Sequence, residues 1–344
     1  MTLRTYIATR IALTLPMLLF LLVLVFVVMR ILPGDPVLLH FEKNENPLLI
    51  AQYRHALGLD MPLWTQFVNY LVGLVHGDFG RSMDPPFEPV AEQIISRFPA
   101  TLELTIYAFI WAAVIGLVFG STAARKAGGK ADGSIKVYGI LIYAFPIFFL
   151  GMIFQLVFGV WLHWLPVAGR MPSGVVPVGL NLGPIHVQTG LYTVDSLLAG
   201  NLREFFQALE YLLLPSLTLG LVISGVFVRM TRSNMLETMK MEFVTAARAR
   251  GLKEDAVVYG YALRNALLPI VTIMGLQFAL LLGGAILTET EFNILGVGKF
   301  LVDRINARDY TAVQGTVVFL ALLISLVSLV VDVIYAYLDP RIRL

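Results

Sequence analysis

The sequence has no cysteine and few charged residues. The missing cysteine excludes disulfide frameworks, thiolate metal sites and cysteine nucleophiles. Charged residues make up 14% of the chain, whereas soluble domains carry about 25%. The net charge of +2 is too small to indicate nucleic-acid binding. Because 58% of the 344 residues are hydrophobic and the mean hydropathy is +0.79, the composition predicts an integral membrane protein.

Catalytic motifs are missing as well. The nearest approach to a nucleotide-binding phosphate loop, Gly296-Val297-Gly298-Lys299-Phe300, has no hydroxyl residue after the lysine and has Asn293 in place of the first glycine. The sequence contains neither a GxSxG nor an HExxH pattern. All the histidines lie outside the predicted spans or at their external edge, where packing is favoured over catalysis: His40, His55, His76, His163 and His186. We therefore expect no catalytic residue, no metal site and no cofactor on this chain.

Six apolar runs are long enough to cross a bilayer, which takes about 20 helical residues. The predicted spans are residues 9–31, 102–124, 137–162, 211–230, 265–288 and 310–337. The first run ends in Arg30-Ile31-Leu32-Pro33 instead of a small-residue cleavage site, which favours an uncleaved span over a signal peptide. The sequence thus predicts an all-α polytopic protein with one transmembrane domain over residues 1–344.

The distribution of lysine and arginine predicts the orientation of the spans. With the N-terminus inside, the internal segments hold 15 of the 25 basic residues, which places both termini in the cytoplasm. Two external loops are then long, at residues 33–98 and 163–210. Runs that open with proline predict short external helices at 47–58, 62–76 and 89–97. Residues 171–194 are uncharged but rich in proline and glycine, which favours a loop over a span.

The spans lack an ionisable residue near the bilayer midplane, where ion-coupled transporters usually keep one. Arg30, Glu103, Arg229 and Asp332 fall at span ends, and we interpret them as anchors within reach of water or headgroups. If the protein moves a solute uphill, its energy source is therefore expected on another chain.

The predicted cytoplasmic segment, residues 231–264, is longer than a connection between two spans requires. Asn234 is a candidate cap for a helix over 235–250, and Gly251 is suited to end that helix in a left-handed conformation. A second helix is expected from about Glu254 to Arg264, with Pro269 in the first turns of the next span.

Small and basic residues cluster at the end of the first predicted helix in this segment. Val244, Ala247, Arg248 and Gly251 share one face at helical spacing. Composition alone leaves open an amphipathic helix that lies on anionic lipid. A face of alanine and glycine buries little apolar area in a membrane, however, and fits a groove in a partner protein better.

Several motifs together resemble one family, the permeases of ABC importers, in the dipeptide and oligopeptide branch. The longest runs from Glu242 to Leu252 (EFVTAARARGL) and continues from Ala262 to Pro269 (ALRNALLP). The others are Leu32-Pro33-Gly34-Asp35-Pro36, Gly77-Asp78-Phe79-Gly80-Arg81-Ser82, Arg97 to Leu104, Leu287-Thr288-Glu289-Thr290, Arg308-Asp309-Tyr310 and Asp339-Pro340-Arg341. The resemblance covers nearly the whole chain and fits the first (B-type) permease subunit.

This resemblance implies a type I importer fold in the plasma (inner) membrane of a prokaryote. It implies a homologous second permease, two cytoplasmic ATPases that carry ATP and Mg, an extracytoplasmic solute-binding protein and membrane lipid as partners, with no nucleic acid. The ATPase-coupling residues it implies are Thr245, Ala246, Ala247, Arg248, Ala249, Arg250, Gly251, Leu252 and Pro269. Thr245 replaces the glutamate of many permeases, and the spacing from Gly251 to Pro269 is longer than in sugar permeases; both are usual in the peptide branch.

Other functions stay open from the residues alone. A stand-alone channel or an ion-coupled secondary transporter, with the basic segment as a lipid-binding collar, is the main alternative, and a scaffold subunit is another. A membrane-embedded enzyme is disfavoured because no histidine falls inside a span. Within the resembling family, nickel complexes, glutathione and oligosaccharides are alternative substrates to peptides. Thr272 and Gln277 in the fifth predicted span could line the path or hydrogen-bond between helices.

Overall fold

The computed structural model describes residues 3–31, 47–56, 58–84, 86–182 and 185–338. The predicted motifs at 32–36 and 339–341 lie outside this part of the chain. Its helices are α1 (Leu3–Ile31), α2 (Pro47–Ala56), α3 (Leu63–Val75), α4 (Val90–Arg125), α5 (Lys130–Ala144), α6 (Ile147–Phe154), α7 (Tyr192–Leu198), α8 (Leu202–Thr238), α9 (Glu242–Ala249), α10 (Leu263–Gly284), α11 (Ile286–Glu291), α12 (Val297–Asn306) and α13 (Tyr310–Leu338). Short π-helices occupy Gln155–Trp161 and Ala256–Ala262, and β1 (Leu180–Leu182) pairs antiparallel with β2 (Ile185–Val187).

The predicted all-α membrane architecture is confirmed. Five helical stretches are long and apolar enough to span a membrane, and a bent pair of helices brings the number to six if it counts as one span. The five are Ala8–Ile31, Val90–Arg125, Leu202–Thr238, Ala256–Gly283 and Tyr310–Ile334.

The bent pair replaces the straight helix expected over residues 137–162. α5 ends at Ala144, and the helix that begins at Ile147 is turned by 100° from it. Pro146 is the physical cause, because proline has no N–H to donate and disfavours helical backbone in the residue before it. Phe145 accordingly has extended angles, φ −71° and ψ 129°. Because the residues on both sides of this break are apolar, hydropathy predicted one continuous span.

Two helices are longer than the predicted spans. α4 has 36 residues and includes the run 89–97 from Val90 onward, which was expected to form a separate external helix. α8 has 37 residues and begins at Leu202, inside the expected loop 163–210. At 1.5 Å per residue each is about 54 Å long, which exceeds the roughly 30 Å of the hydrocarbon core. Both helices therefore project beyond the membrane and carry loops and the segment 239–253 at their ends.

α4 and α8 form the centre of the bundle, and glycines allow their close contact. A Cβ on Gly116 would lie 2.3 Å from the Cβ of Phe227, and one on Gly220 would lie 2.6 Å from the carbonyl oxygen of Ala108. In lipid, helices associate through such close van der Waals packing because burial of apolar surface gives no advantage over the acyl chains. These contacts fix the two longest helices against each other.

Candidate functional site

The segment between α8 and α10 folds back on the end of the bundle predicted to face the cytoplasm. α8 continues to Thr238, so the helix predicted over 235–250 is interrupted at residues 239–241 before α9 begins at Glu242. Asn234 is not a cap: it lies inside α8, and its side-chain amide donates to the carbonyl of Met230 at 2.9 Å. Gly251 has φ +74° and ends the α9 segment, as predicted.

The two faces of α9 differ in exposure. Val244 and Ala247 are 0% and 4% exposed and belong to one buried cluster with Met235 of α8 and with Val257 and Val258 of the following π-helix. The resemblance assigned further residues to coupling, of which Pro269 is half-buried and the following are exposed: Thr245, Ala246, Arg248, Ala249, Arg250, Gly251 and Leu252. The structure thus presents a compact surface of small and basic residues, with Ala247 directed into the core of this chain instead of toward that surface.

Ion pairs join α9 and the neighbouring helix ends. Arg248 donates to both carboxylate oxygens of Glu254, at 2.8 Å and 3.2 Å, and this raises the pKa of Arg248 and lowers that of Glu254. Arg125, the last residue of α4, lies 2.5 Å from Asp255. The start of the fifth span is therefore tied both to α9 and to the end of α4.

The helix that follows is continuous from Glu254 to Gly284 and includes a π-helical turn at Ala256–Ala262. Pro269 accordingly lies in the interior of a helix and not in its first turns. The hydroxyl of Thr272 donates to the carbonyl of Leu268 in the same helix, at 3.4 Å, and Gln277 is half-buried on α10. The structure does not bring either residue to the α9 surface.

A polar network at the opposite end of the bundle was missed in the sequence. Glu103, predicted as an anchor at the span end, is 1% exposed, so that prediction is wrong. It accepts hydrogen bonds from Arg170, from the backbone of Thr193 and from the Thr193 hydroxyl. Arg170 also stacks over Tyr192, with 3.8 Å from its Cζ to the ring centroid. This cluster fastens the loop 163–210 to α4.

A second part of the network joins α4 to the loop after the fifth span. The hydroxyl of Thr101 donates to Glu289 at 2.6 Å and accepts from the backbone N–H of Val297 at 2.9 Å. The backbone N–H of Lys299 donates to the other Glu289 oxygen at 2.9 Å. Burial raises the pKa of Glu289 to about 7, although these hydrogen bonds act in the opposite direction.

The third part fixes the segment after α3 to the start of α13. The hydroxyl of Ser82 donates to Asp309 at 2.5 Å, and Arg304 lies 2.5 Å from Asp84 and 3.8 Å from Asp309. Ser82, Thr101, Glu103, Glu289 and Asp309 all belong to motifs that the sequence singled out. Those motifs were therefore the signal for the network, but only the folded chain shows which of them meet.

Comparisons with known proteins identify the family. The model of the "binding-protein-dependent transport system inner membrane component" matches residues 116–344, and its N-terminal companion matches residues 3–105. The di/tripeptide transport system permease protein DppB of Pseudomonas aeruginosa (strain UCBPP-PA14) is 40% identical over 340 residues, 98% of each chain. The dipeptide permease DppB of Escherichia coli (strain K12) is 40% identical over 341 residues, again 98% of each.

The glutathione transport system permease protein GsiC of Salmonella typhi is similar to a nearly equal degree, at 38% identity over 341 residues and 98% of each chain. Matches of this extent, together with several apolar spanning helices, establish both the family and the membrane location. The chain belongs to the binding-protein-dependent permease family, as a multi-pass inner-membrane permease of the ABC peptide-importer type.

Proposed function

We propose that this chain forms one half of the translocation pathway of an ATP-driven peptide importer. A homologous second permease forms the other half, and two cytoplasmic ATPase subunits bind and hydrolyse ATP with Mg. An extracytoplasmic binding protein delivers the peptide. This chain hydrolyses nothing itself, and its part is to convert movement of the ATPases into a change of access to the pathway.

The observation that supports this proposal is the two-sided character of α9. Its outer face offers Ala246, Ala249 and Gly251, whose small size admits the backbone of a partner, with Arg250 as a hydrogen-bond donor beside them. Its inner face is buried against the bundle through Val244. A partner that moves α9 therefore moves buried side chains of the spans with it.

The contacts of α9 provide a path by which that movement reaches the spans. Through the pair of Arg248 with Glu254 and the burial of Val257 and Val258, a displacement of α9 reaches the first turn of the fifth span. Closure of the ATPase pair on ATP pulls α9, and the spans switch from inward-facing to outward-facing. Because packed interfaces have discrete arrangements, a small shift at α9 produces a two-state change instead of a gradual one.

Peptides are the proposed substrate class. The relatives reported above are named for transport of di- and tripeptides, dipeptides and glutathione. All of these molecules carry at least one peptide bond and a free carboxylate. The proposal accordingly assigns short peptides to this importer.

The proposal is tested by affinity purification of the tagged chain from its native membrane, followed by reconstitution in proteoliposomes with the recovered partners. Peptide uptake and peptide-dependent ATP hydrolysis are measured for the wild type, for Ala246→Leu and for Ala127→Leu. Ala127 is also exposed, in the turn between α4 and α5 at the same end of the bundle. Overpacking a close contact costs about 1–3 kcal/mol, so Ala246→Leu is expected to weaken ATPase binding about 5- to 150-fold.

Each outcome of this experiment has a definite meaning. Recovery of a second permease and one or two phosphate-loop ATPases, with binding lost in Ala246→Leu and retained in Ala127→Leu, supports the importer. Recovery of the chain alone, with uptake that needs no ATP, overturns it in favour of a channel or an ion-coupled transporter. ATP-driven uptake of a nickel complex or an oligosaccharide but no peptide keeps the importer and overturns the substrate.

A further inference from the structure

A groove between α5 and α8 is not used by the proposed coupling mechanism. It has a cavity volume of about 320 Å³. The residues that line it are Ile135, Lys136, Gly139, Ile140, Gly225, Val228, Arg229, Arg232 and Ser233. The groove exists because two glycines face each other across it: a Cβ on Gly225 would lie 2.9 Å from the carbonyl oxygen of Gly139. The two helices thus approach closely at its floor without filling it with side chains.

One end of the groove is positively charged. Lys136 and Arg232 share one carboxylate, that of buried Asp132, with contacts of 3.0 Å and 2.7 Å. Arg229 adds a third cation, which lies over the ring of Tyr143 at 5.5 Å from the centroid. The residues that line the groove include no carboxylate. Three cations against one anion leave two positive charges at this end.

The rest of the groove and its surroundings are apolar. Ile140 and Val228 line the groove inside the predicted spans 137–162 and 211–230, whereas Lys136 and Arg232 lie just outside them. Beside it on α5, Val137 and Leu141 are 55% and 56% exposed, as lipid-facing residues of a spanning helix are. The cations therefore lie toward the end of the span, with apolar surface deeper in the bilayer.

We propose that this groove binds one anionic phospholipid of the surrounding membrane. The phosphate is held by Arg229, Lys136 and the hydroxyl of Ser233, and part of one acyl chain lies over Gly139 and Gly225. The two excess positive charges match an anionic headgroup, and the polarity along the groove matches that of a phospholipid from phosphate to chain. Basic pockets between transmembrane helices near the cytoplasmic side are suited to such headgroups. This inference rests on the membrane location and not on the proposed transport cycle.

Native mass spectrometry tests the proposal on the full chain and on the assembled complex, released from detergent that contains phosphatidylglycerol or phosphatidylcholine. The wild type is expected to retain one phosphatidylglycerol molecule in preference to phosphatidylcholine. Each basic residue near a membrane surface contributes about 1 kcal/mol, so Arg229→Gln and Lys136→Gln are each expected to weaken retention about five-fold. The matched variants Lys126→Gln and Lys240→Gln, which remove exposed charges outside the groove, are expected to leave retention unchanged.

A third variant blocks the apolar part and leaves the charges in place. A Cβ on Gly139 meets only ordinary contacts, the nearest at 3.7 Å, so a side chain can begin there without a clash, and that of Gly139→Leu extends into the groove. It is expected to abolish retention of phosphatidylglycerol.

Complete competition by millimolar inorganic phosphate indicates a free-anion site, and loss of the lipid on assembly with the second permease indicates a subunit interface. Either result overturns the proposal, as does equal retention of the two lipids or of the control and groove variants.

Discussion

Arg248 and Glu254 hold each other through two hydrogen bonds, of 2.8 Å and 3.2 Å, across the left-handed turn at Gly251. Both side chains are more than one-third exposed, so water screens the pair and its contribution to stability is at most about 1 kcal/mol. Its importance is positional, because it joins the surface proposed to contact the ATPase to the first turn of a span.

Glu254→Gln is expected to reduce peptide-dependent ATP hydrolysis by up to about five-fold while the melting temperature hardly changes. The reason is that the amide breaks the ion pair but leaves the buried Val244 in place. The exchange Arg248→Glu with Glu254→Arg separates two roles of the arginine. Recovery of activity in the exchanged protein shows that Arg248 acts through the pair, whereas continued loss shows that it contacts the ATPase directly.

The pH dependence of this pair follows from the sign of the shift. Arg248 lowers the pKa of Glu254 below its ordinary value of 4.5. The contribution of the pair is therefore present above about pH 4.5 and is lost as the pH falls through the lowered pKa. ATPase coupling in proteoliposomes should show no titration of this pair near neutral pH.

Gly251→Val is expected to uncouple ATP hydrolysis from uptake without preventing assembly of the spans. The residue has φ +74°, which a β-branched residue adopts only at a cost of about 1–3 kcal/mol, so the turn after α9 is displaced. Gly128→Val is a matched control, since Gly128 has φ +78° and, like Gly251, has no atom of the described residues within 4 Å of an added Cβ. Equal uptake in the two variants would remove Gly251 from the coupling surface.

The sequence predicted the apolar spans and the left-handed end of α9 because both depend on local properties: hydropathy over about 20 residues and the conformational freedom of glycine. It did not predict that Ala247 faces inward, because Ala246, Ala247 and Ala249 have the same side chain and only the packing of Val244 fixes the rotation of the helix. It also missed the ion pair of Glu103, whose partner Arg170 is 67 residues away and is brought near only by the fold.

Arg170→Met is expected to destabilise the protein by about 3–5 kcal/mol, because Glu103 is 1% exposed in its side chain and is left without its charged partner. The double variant Arg170→Met with Glu103→Leu should recover much of this loss, since two apolar side chains leave no buried charge. Thermal unfolding in detergent measures the stability of the single and the double variant. Arg203→Met, which removes an exposed arginine, is the control. If it destabilised the protein as much as Arg170→Met does, the result would contradict the role of the buried pair.

Stability is expected to fall as the pH rises from about 5 to about 8. Burial raises the pKa of Glu289 to about 7 from its ordinary 4.5, so the folded state binds its proton more tightly than the unfolded state. That contribution is complete below about pH 4.5, is lost as the pH rises through about 7, and amounts to at most roughly 3 kcal/mol. Glu289→Gln should flatten this part of the melting-temperature profile, and an unchanged slope would show that the carboxylate stays ionised.

Gly116→Ala is expected to lower stability by about 1–3 kcal/mol, even though alanine is the better helix former. The added Cβ would lie 2.3 Å from the Cβ of Phe227, so α4 and α8 must separate along their contact. Gly133→Ala is the matched control: Gly133 is also helical but is exposed, and within the part of the chain that the structure describes no atom lies within 4 Å of an added Cβ. It should be neutral or stabilising by up to about 1 kcal/mol. Because the same substitution has opposite expected signs at the two sites, thermal unfolding of the pair tests helix contact separately from helix propensity.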